Sequence, residues 1–238
     1  MLFKPVDLSR RADLSEWMDE PSTYEDFRDC LRDLAHLNRV TFAHRSTLRF
    51  LRGVAFDHPC LLHIVDVGCG GGDLLRLIEA WARKQNRPIL LTGIDLNPLA
   101  ARAAGEFTSP GSAIRWVTGD AFSYHPDVPI DLVVSSLFAH HLADSDIARF
   151  VTWMEKTTLR GWFVNDLYRA PFPFYGVQLL AWLFRWHRFV SHDAPVSIRR
   201  GFRPEDWRNY LRASGLPKDL VQMTGVGPAR LCLARIKQ

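Results

Sequence analysis

Residues 64–75 read Ile64-Val65-Asp66-Val67-Gly68-Cys69-Gly70-Gly71-Gly72-Asp73-Leu74-Leu75, and no other stretch constrains the fold as much. An apolar run reaches an acid, a glycine-rich turn follows, and Leu74, Leu75, Leu77, Ile78 and Trp81 begin a helical rhythm at once. That pattern is a buried parallel strand feeding a tight loop and then a helix. Glycine has no Cβ and reaches positive φ without strain, so such a loop lets backbone approach a ligand closely. A P-loop is excluded because no Gly-Lys-Ser/Thr follows.

Around this unit the chain alternates. Strands are expected at 61–67, 89–94, 113–117, 130–135 and 162–167, with helices at 73–84, 97–106, 145–156 and 203–213. Alternating strands and helices with short loops give a mostly parallel sheet with helices on both faces, an α/β fold. Two closing strands, 220–224 and 230–236, are joined by the turn Gly225–Pro228, too short for a parallel crossover, so they are antiparallel. Residues 1–57 form a helical N-terminal arm: a short helix over Leu8–Met18, one capped by Ser22 or Thr23 with Phe27, Leu31, Leu34 and Leu37 on one face, and one over Thr41–Leu51. Residues 58–238 form the main domain, interrupted after strand five by an insertion at 168–200. Its stretch Phe174–Val190 is apolar nearly all round and predicts a helix that is buried, lies over a ligand as a lid, or touches a membrane; Ser191–Pro195 then reads as a loop.

Composition excludes several classes. Of 238 residues, 47% are hydrophobic and 24% charged, the pattern of an ordinary globular chain. The net charge of +4 is mild, and no basic run is interleaved with aromatics, so nucleic acid is not the expected partner. Cys30, Cys60, Cys69 and Cys232 form no CxxC pair, which argues against a zinc site and for a reducing compartment. The N-terminus lacks the apolar core of a signal peptide, and no apolar run reaches the ~20 residues of a membrane span. The expectation is a cytoplasmic monomer or homodimer, with peripheral membrane contact left open.

Two further acids stand at strand ends. Asp95 closes strand two, where a carboxylate can accept both hydroxyls of a ribose, and Asp120 follows strand three beside Ala121 and Phe122. With these residues the chain resembles the class I S-adenosylmethionine-dependent methyltransferases, through DVGCGGGD at 66–73, TGIDLNP at 92–98, GDAF at 119–122 and DLVVSSLFAHHL at 131–142. The resemblance implies a Rossmann-like seven-stranded sheet whose last strand is antiparallel. It also implies S-adenosylmethionine as cofactor and S-adenosylhomocysteine as product. Asp66, Gly68, Cys69, Gly70 and Gly72 would surround the methionine portion, Asp95 and Leu96 the ribose, and Asp120 and Ala121 the adenine, with Ser135 at the end of strand four.

Methyl transfer is an in-line displacement that needs alignment, exclusion of water and, for a phenol, a base. His141 and its neighbour His140 are the candidate bases; His192-Asp193 and Asp166 are rivals. The Asn/Asp-Pro-Pro-Tyr/Phe run of base-methylating relatives is absent, as are the acids that metal-dependent relatives carry after strand four, so no metal is expected. The runs WMDEP at 17–21, LRDLAHLNRV at 31–40, HRSTLRFL at 44–51 and DAPVSIRRGF at 193–202 resemble bacterial small-molecule methyltransferases of aromatic polyketide or quinone modification. That implies a small aromatic acceptor methylated on a phenolic oxygen, with ring carbon as the alternative. A non-catalytic module keeping the fold to bind a membrane or partner is the reading from another class.

Overall fold

The computed structural model describes residues 6–57, 61–226 and 229–237. Seven strands form one sheet in the order β3-β2-β1-β4-β5-β7-β6. They are β1 (Leu62–Val67), β2 (Ile89–Asp95), β3 (Arg115–Thr118), β4 (Ile130–Ser136), β5 (Thr158–Leu167), β6 (Gln222–Val226) and β7 (Arg230–Ile236). β1 pairs parallel with β2 and β4, whereas β7 runs antiparallel to both β5 and β6. This is the Rossmann-like architecture expected. Every residue of β1 is buried, as befits a central strand covered on both faces. The closing turn Gly225–Pro228 lies partly, and Cys60 wholly, outside the described residues.

The helices of the alternating half fall where the apolar rhythm placed them: α3 (Asp73–Lys84), α4 (Pro98–Glu106), α5 (Asp144–Thr157) and α8 (Pro204–Ala213). Asn97 caps α4 through its Oδ1, which accepts from the Leu99 N–H, and Pro98 takes the first turn, where a missing N–H costs nothing. In the arm, α1 (Tyr24–Val40) is capped by Thr23, and α2 (Arg45–Asp57) follows. α1 buries Phe27 and Leu31 against Ala100 and Ala103 of α4, and Cys30 against Trp186, Phe189 and Val190 of the insertion. α2 packs Leu51 and Val54 on the sheet, and Phe50 stacks on Phe163 of β5 at 4.8 Å.

Three expectations fail, each for a tertiary reason. The helix expected over Leu8–Met18 does not form: the segment is extended until a single 3-10 turn at Trp17–Asp19. Its carbonyls are taken from outside, since Arg169 donates to Leu8 and Ser9, while Arg11 threads inward to the carbonyls of His140, Leu142 and Arg200. The apolar insertion is two helices rather than one, α6 (Pro171–Phe184) and α7 (Arg188–Arg200), because Arg185 turns left-handed at φ 51°. The loop expected at Ser191–Pro195 is helical within α7. Phe189, Val190, Ala194 and Ile198 give it a buried face that outweighs the bond Pro195 cannot donate.

α6 is not buried all round. Phe174 and Ala181 are buried, and Val177 and Leu180 face the cavity described below. Phe172, Leu179, Trp182 and Leu183 are exposed. Among the described residues no helix is long and apolar enough to cross a membrane.

Candidate active site

The carboxyl ends of β1 to β4 open into one cavity of about 1070 Å³, closed on the far side by α1, α6 and α7. Pockets for one small ligand occupy ~300–1,000 Å³, so this space lies just above the top of that range. It lies where the strand order reverses between β1 and β4, the crevice in which open parallel sheets bind ligands.

The glycine loop forms the floor. Gly68, Gly70 and Gly72 have φ of 72°, 49° and 73°, a region that side chains other than glycine's enter only with strain. At two of the three the reason differs from the simple expectation of ligand approach. A Cβ on Gly68 would stand 2.3 Å from the Phe138 ring, and one on Gly72 would stand 2.2 Å from Trp116. Those two glycines make room for aromatic packing; only at Gly70, which lines the cavity, would a Cβ meet no more than ordinary contact, with Leu31 at 3.5 Å.

The three acids meet at this cavity. Asp66 at the end of β1 is 2% exposed, and its Oδ1 has no hydrogen-bond partner among the described residues. Burial, with Asp73 and Asp95 adding repulsion, pushes its carboxyl well above the usual range. Asp95 accepts from the Gly70 N–H at 2.9 Å and the Asn97 N–H at 3.0 Å, so it ties the loop to β2. Burial raises its carboxyl, and the two backbone bonds oppose that rise. Asp120 is exposed and caps a short turn by accepting from the Phe122 N–H at 2.9 Å. Cys69, Leu96 and Ala121 also line the cavity. Gly72 and Ser135 do not: Gly72 lies under Trp116, and the Ser135 hydroxyl donates to the Val67 carbonyl, a bond between neighbouring strands.

Both histidines line the same cavity. His140 is buried with its Nδ1 2.7 Å from Asp166 Oδ1, while its Nε2 faces Glu16 Oε1 at 3.8 Å. Burial alone would raise the Asp166 carboxyl; the His140 imidazole overrides it and holds the carboxyl below the usual range. His141 is more open, with Nδ1 3.1 Å from Asp19 Oδ2 and Nε2 3.9 Å from Glu16 Oε2. Burial disfavours its charge, but Asp19 and Glu16 outweigh burial and raise its pKa above 6.5.

Glu16, His140 and His141 bring ligand atoms within 4.8 Å of one another, a set that could hold a divalent cation. Arg200 also brings a positive charge there, its Nη1 3.5 Å from Glu16 Oε1 and 3.4 Å from Asp19 Oδ2. His192-Asp193 has a different task. Asp193 accepts from the Trp17 and Met18 N–H groups at 2.9 and 3.0 Å, and His192 stacks on Trp17 at 3.8 Å. The pair holds in place the turn that carries Glu16 and Asp19.

Sequence reasoning missed Glu16, Asp19, Arg200 and Arg230. Asp19 and Arg200 lie within runs quoted for resemblance, yet nothing in their spacing tells that the arm folds onto the histidines. Arg230 opens β7, 8% exposed, and its Nε and Nη1 have no hydrogen-bond partner among the described residues. A charged residue opening the buried run Leu231-Cys232-Leu233 was the available signal.

Sheet order, the antiparallel β7 and the glycine loop at the reversal point define the class: the fold is that of the class I S-adenosylmethionine-dependent methyltransferases. Residues 64–160 match the family described as "Methyltransferase domain". A trans-aconitate 2-methyltransferase of Streptomyces coelicolor is 26% identical over 174 residues, covering 68% of this chain and 54% of that protein. The chain thus spans about half the length of that curated relative. Human N-acetylserotonin methyltransferase in complex with S-adenosylmethionine superposes with TM-score 0.59 at 21% identity, covering 91% of this chain and 57% of that one. Magnesium protoporphyrin IX methyltransferase from Synechocystis PCC 6803, with bound S-adenosylhomocysteine, gives 0.54 at 17% identity and covers 84% of both.

Proposed function

We propose that the protein is an S-adenosylmethionine-dependent methyltransferase that methylates a phenolic oxygen of a small, largely apolar aromatic acceptor. The observation that carries this reading is convergence. Asp66, Asp95 and Asp120 open on the same cavity as His140, His141 and the apolar inner face of α6. S-Adenosylmethionine, when bound, supplies a methyl group activated by its sulfonium.

The residues present fit that cofactor. Asp66 Oδ1, buried and unpartnered among the described residues, lacks the donor that an ammonium group would give. Gly70 leaves backbone open beside it, Asp95 would hold the ribose hydroxyls, and the exposed Asp120 with Ala121 would hold the adenine end. Leu96, 74% exposed at the rim, offers an apolar surface to a flat ring.

Phenolic transfer needs the hydroxyl proton removed as oxygen attacks carbon. His141 accepts that proton at its Nε2, and Asp19 and Glu16 stabilise the imidazolium that results. His140, fixed by Asp166, sets the position of the neighbouring ring, 4.3 Å away between centroids. Residues of α6, α7 and the N-terminal turn, among them Val177, Val190 and Met18, line the same cavity. The transfer is direct, and no step calls for a metal.

Incubation with methyl-labelled donor and a panel of phenols tests the proposal. Label should appear as methyl ether and be absent when the phenol is already etherified. Label on ring carbon, or on none of the panel, would contradict phenolic transfer.

A further inference from the structure

Resting on that reading, we infer that Arg230 anchors an anionic group, a carboxylate, carried by the acceptor itself. A guanidinium has five N–H donors, and burying it with donors unmatched is costly unless a ligand completes the set. The other deeply buried arginines are satisfied. Arg169 reaches the Leu8, Ser9 and Gly201 carbonyls and Asp206, and Arg200 reaches two carbonyls and two carboxylates. Arg230 is as enclosed, lines the cavity, and leaves Nε and Nη1 without partners among the described residues.

Asp166, the carboxylate whose charge acts on Arg230, is engaged elsewhere. Asp166 Oδ1 is taken by His140 Nδ1 and the Leu167 N–H, and Oδ2 by the His140 N–H. Burial lowers the Arg230 pKa to about 10, the direction expected of a cation short of partners.

Position assigns this group to the acceptor. The sheet order places β7 three strands from β1, so at ~4.8 Å per strand Arg230 starts roughly 14 Å from the glycine loop's strand. Across the ladder its partner is Leu167, which packs with Leu137, Val177 and Ile198. A ligand seated there meets an apolar wall with one buried cation in it, the complement of an aromatic acid. Methionine-derived donors also carry a carboxylate, and that rival source has to be separated by experiment.

Calorimetric titration with 1-naphthoate and 1-naphthamide, in the presence of S-adenosylhomocysteine, makes the separation. The acid should bind roughly ten- to a hundred-fold more tightly than the amide, the range of a charge-assisted hydrogen bond. Arg230→Met should abolish that preference and leave S-adenosylhomocysteine binding unchanged, whereas Arg230→Lys should keep part of it. Equal binding of the two naphthalenes by the wild-type protein would overturn the inference, and this comparison requires no variant to fold. A preference that survives Arg230→Met while S-adenosylhomocysteine binding weakens would assign the arginine to the donor and also overturn it. Failure of the wild-type protein to bind S-adenosylhomocysteine would instead strike at the methyltransferase reading.

Discussion

His140 Nδ1 lies 2.7 Å from Asp166 Oδ1, and the two side chains are 3% and 0% exposed. An imidazole held this way donates from Nδ1, so its Nε2 is left facing Glu16 and the cavity. In the proposed reaction the neighbouring His141, less buried, is the ring that meets the acceptor. His141→Ala should therefore lower turnover of a phenol by ~10²–10⁴, the usual contribution of a general base, with S-adenosylhomocysteine affinity unchanged. Turnover that survives the substitution at every pH would remove His141 from the mechanism.

The pH profile follows from the raised His141 pKa. Only the neutral imidazole accepts a proton, so the rate should climb with pH and inflect above 6.5. Asp19→Asn removes the hydrogen-bonded carboxylate that favours the charged ring, so the inflection should move downward. Initial rates across pH for both proteins check this; an inflection that stays put would assign the proton to another group.

Gly72 is a packing glycine. At φ 73°, with Trp116 against it, Gly72→Ala should cost at least about 1–2 kcal/mol from backbone strain alone, before the ring is displaced. Urea melts would measure the loss. Gly105→Ala, a helical site with open space around its Cβ, is the control and should be neutral or stabilising.

Asp73 links α3 to the arm, accepting from Asn38 at 3.0 Å and pairing with His44 Nε2 at 2.8 Å. Burial would raise its carboxyl, but His44 and Asn38 prevail and lower its pKa to about 2. A depressed carboxylate stabilises the fold above its unfolded pKa, and that stability is lost as pH falls through the folded value. Between about pH 4 and pH 2, roughly 2 kcal/mol should disappear. Denaturant midpoints of wild type and Asp73→Asn should converge over that window; a constant gap would refute the assignment.

How far the chain could be read in advance depends on where each interaction is made. β1 and β4 were legible because central parallel strands are continuous apolar runs. Asp66, Asp95 and Asp120 were legible because they stand at the ends of successive strands. The extended segment before Trp17 was not, since Arg11 and Arg169, distant in sequence from their acceptors, take the place of helical hydrogen bonds. Glu16 and Asp19 meet the histidines only after the arm has folded across the cavity. α7 runs through Pro195 because its buried face outweighs one missing bond, a balance that local propensity cannot express. Gly68 and Gly72 were seen, but their purpose lay in Phe138 and Trp116.

Donor binding is the central claim, and isothermal calorimetry with S-adenosylhomocysteine tests it most directly. One molecule per chain should bind, and Asp95→Ala should weaken it at least about ten-fold with the fold retained, as expected for loss of a charge-assisted hydrogen bond. No heat at high concentration, or affinity indifferent to Asp95, would contradict the account.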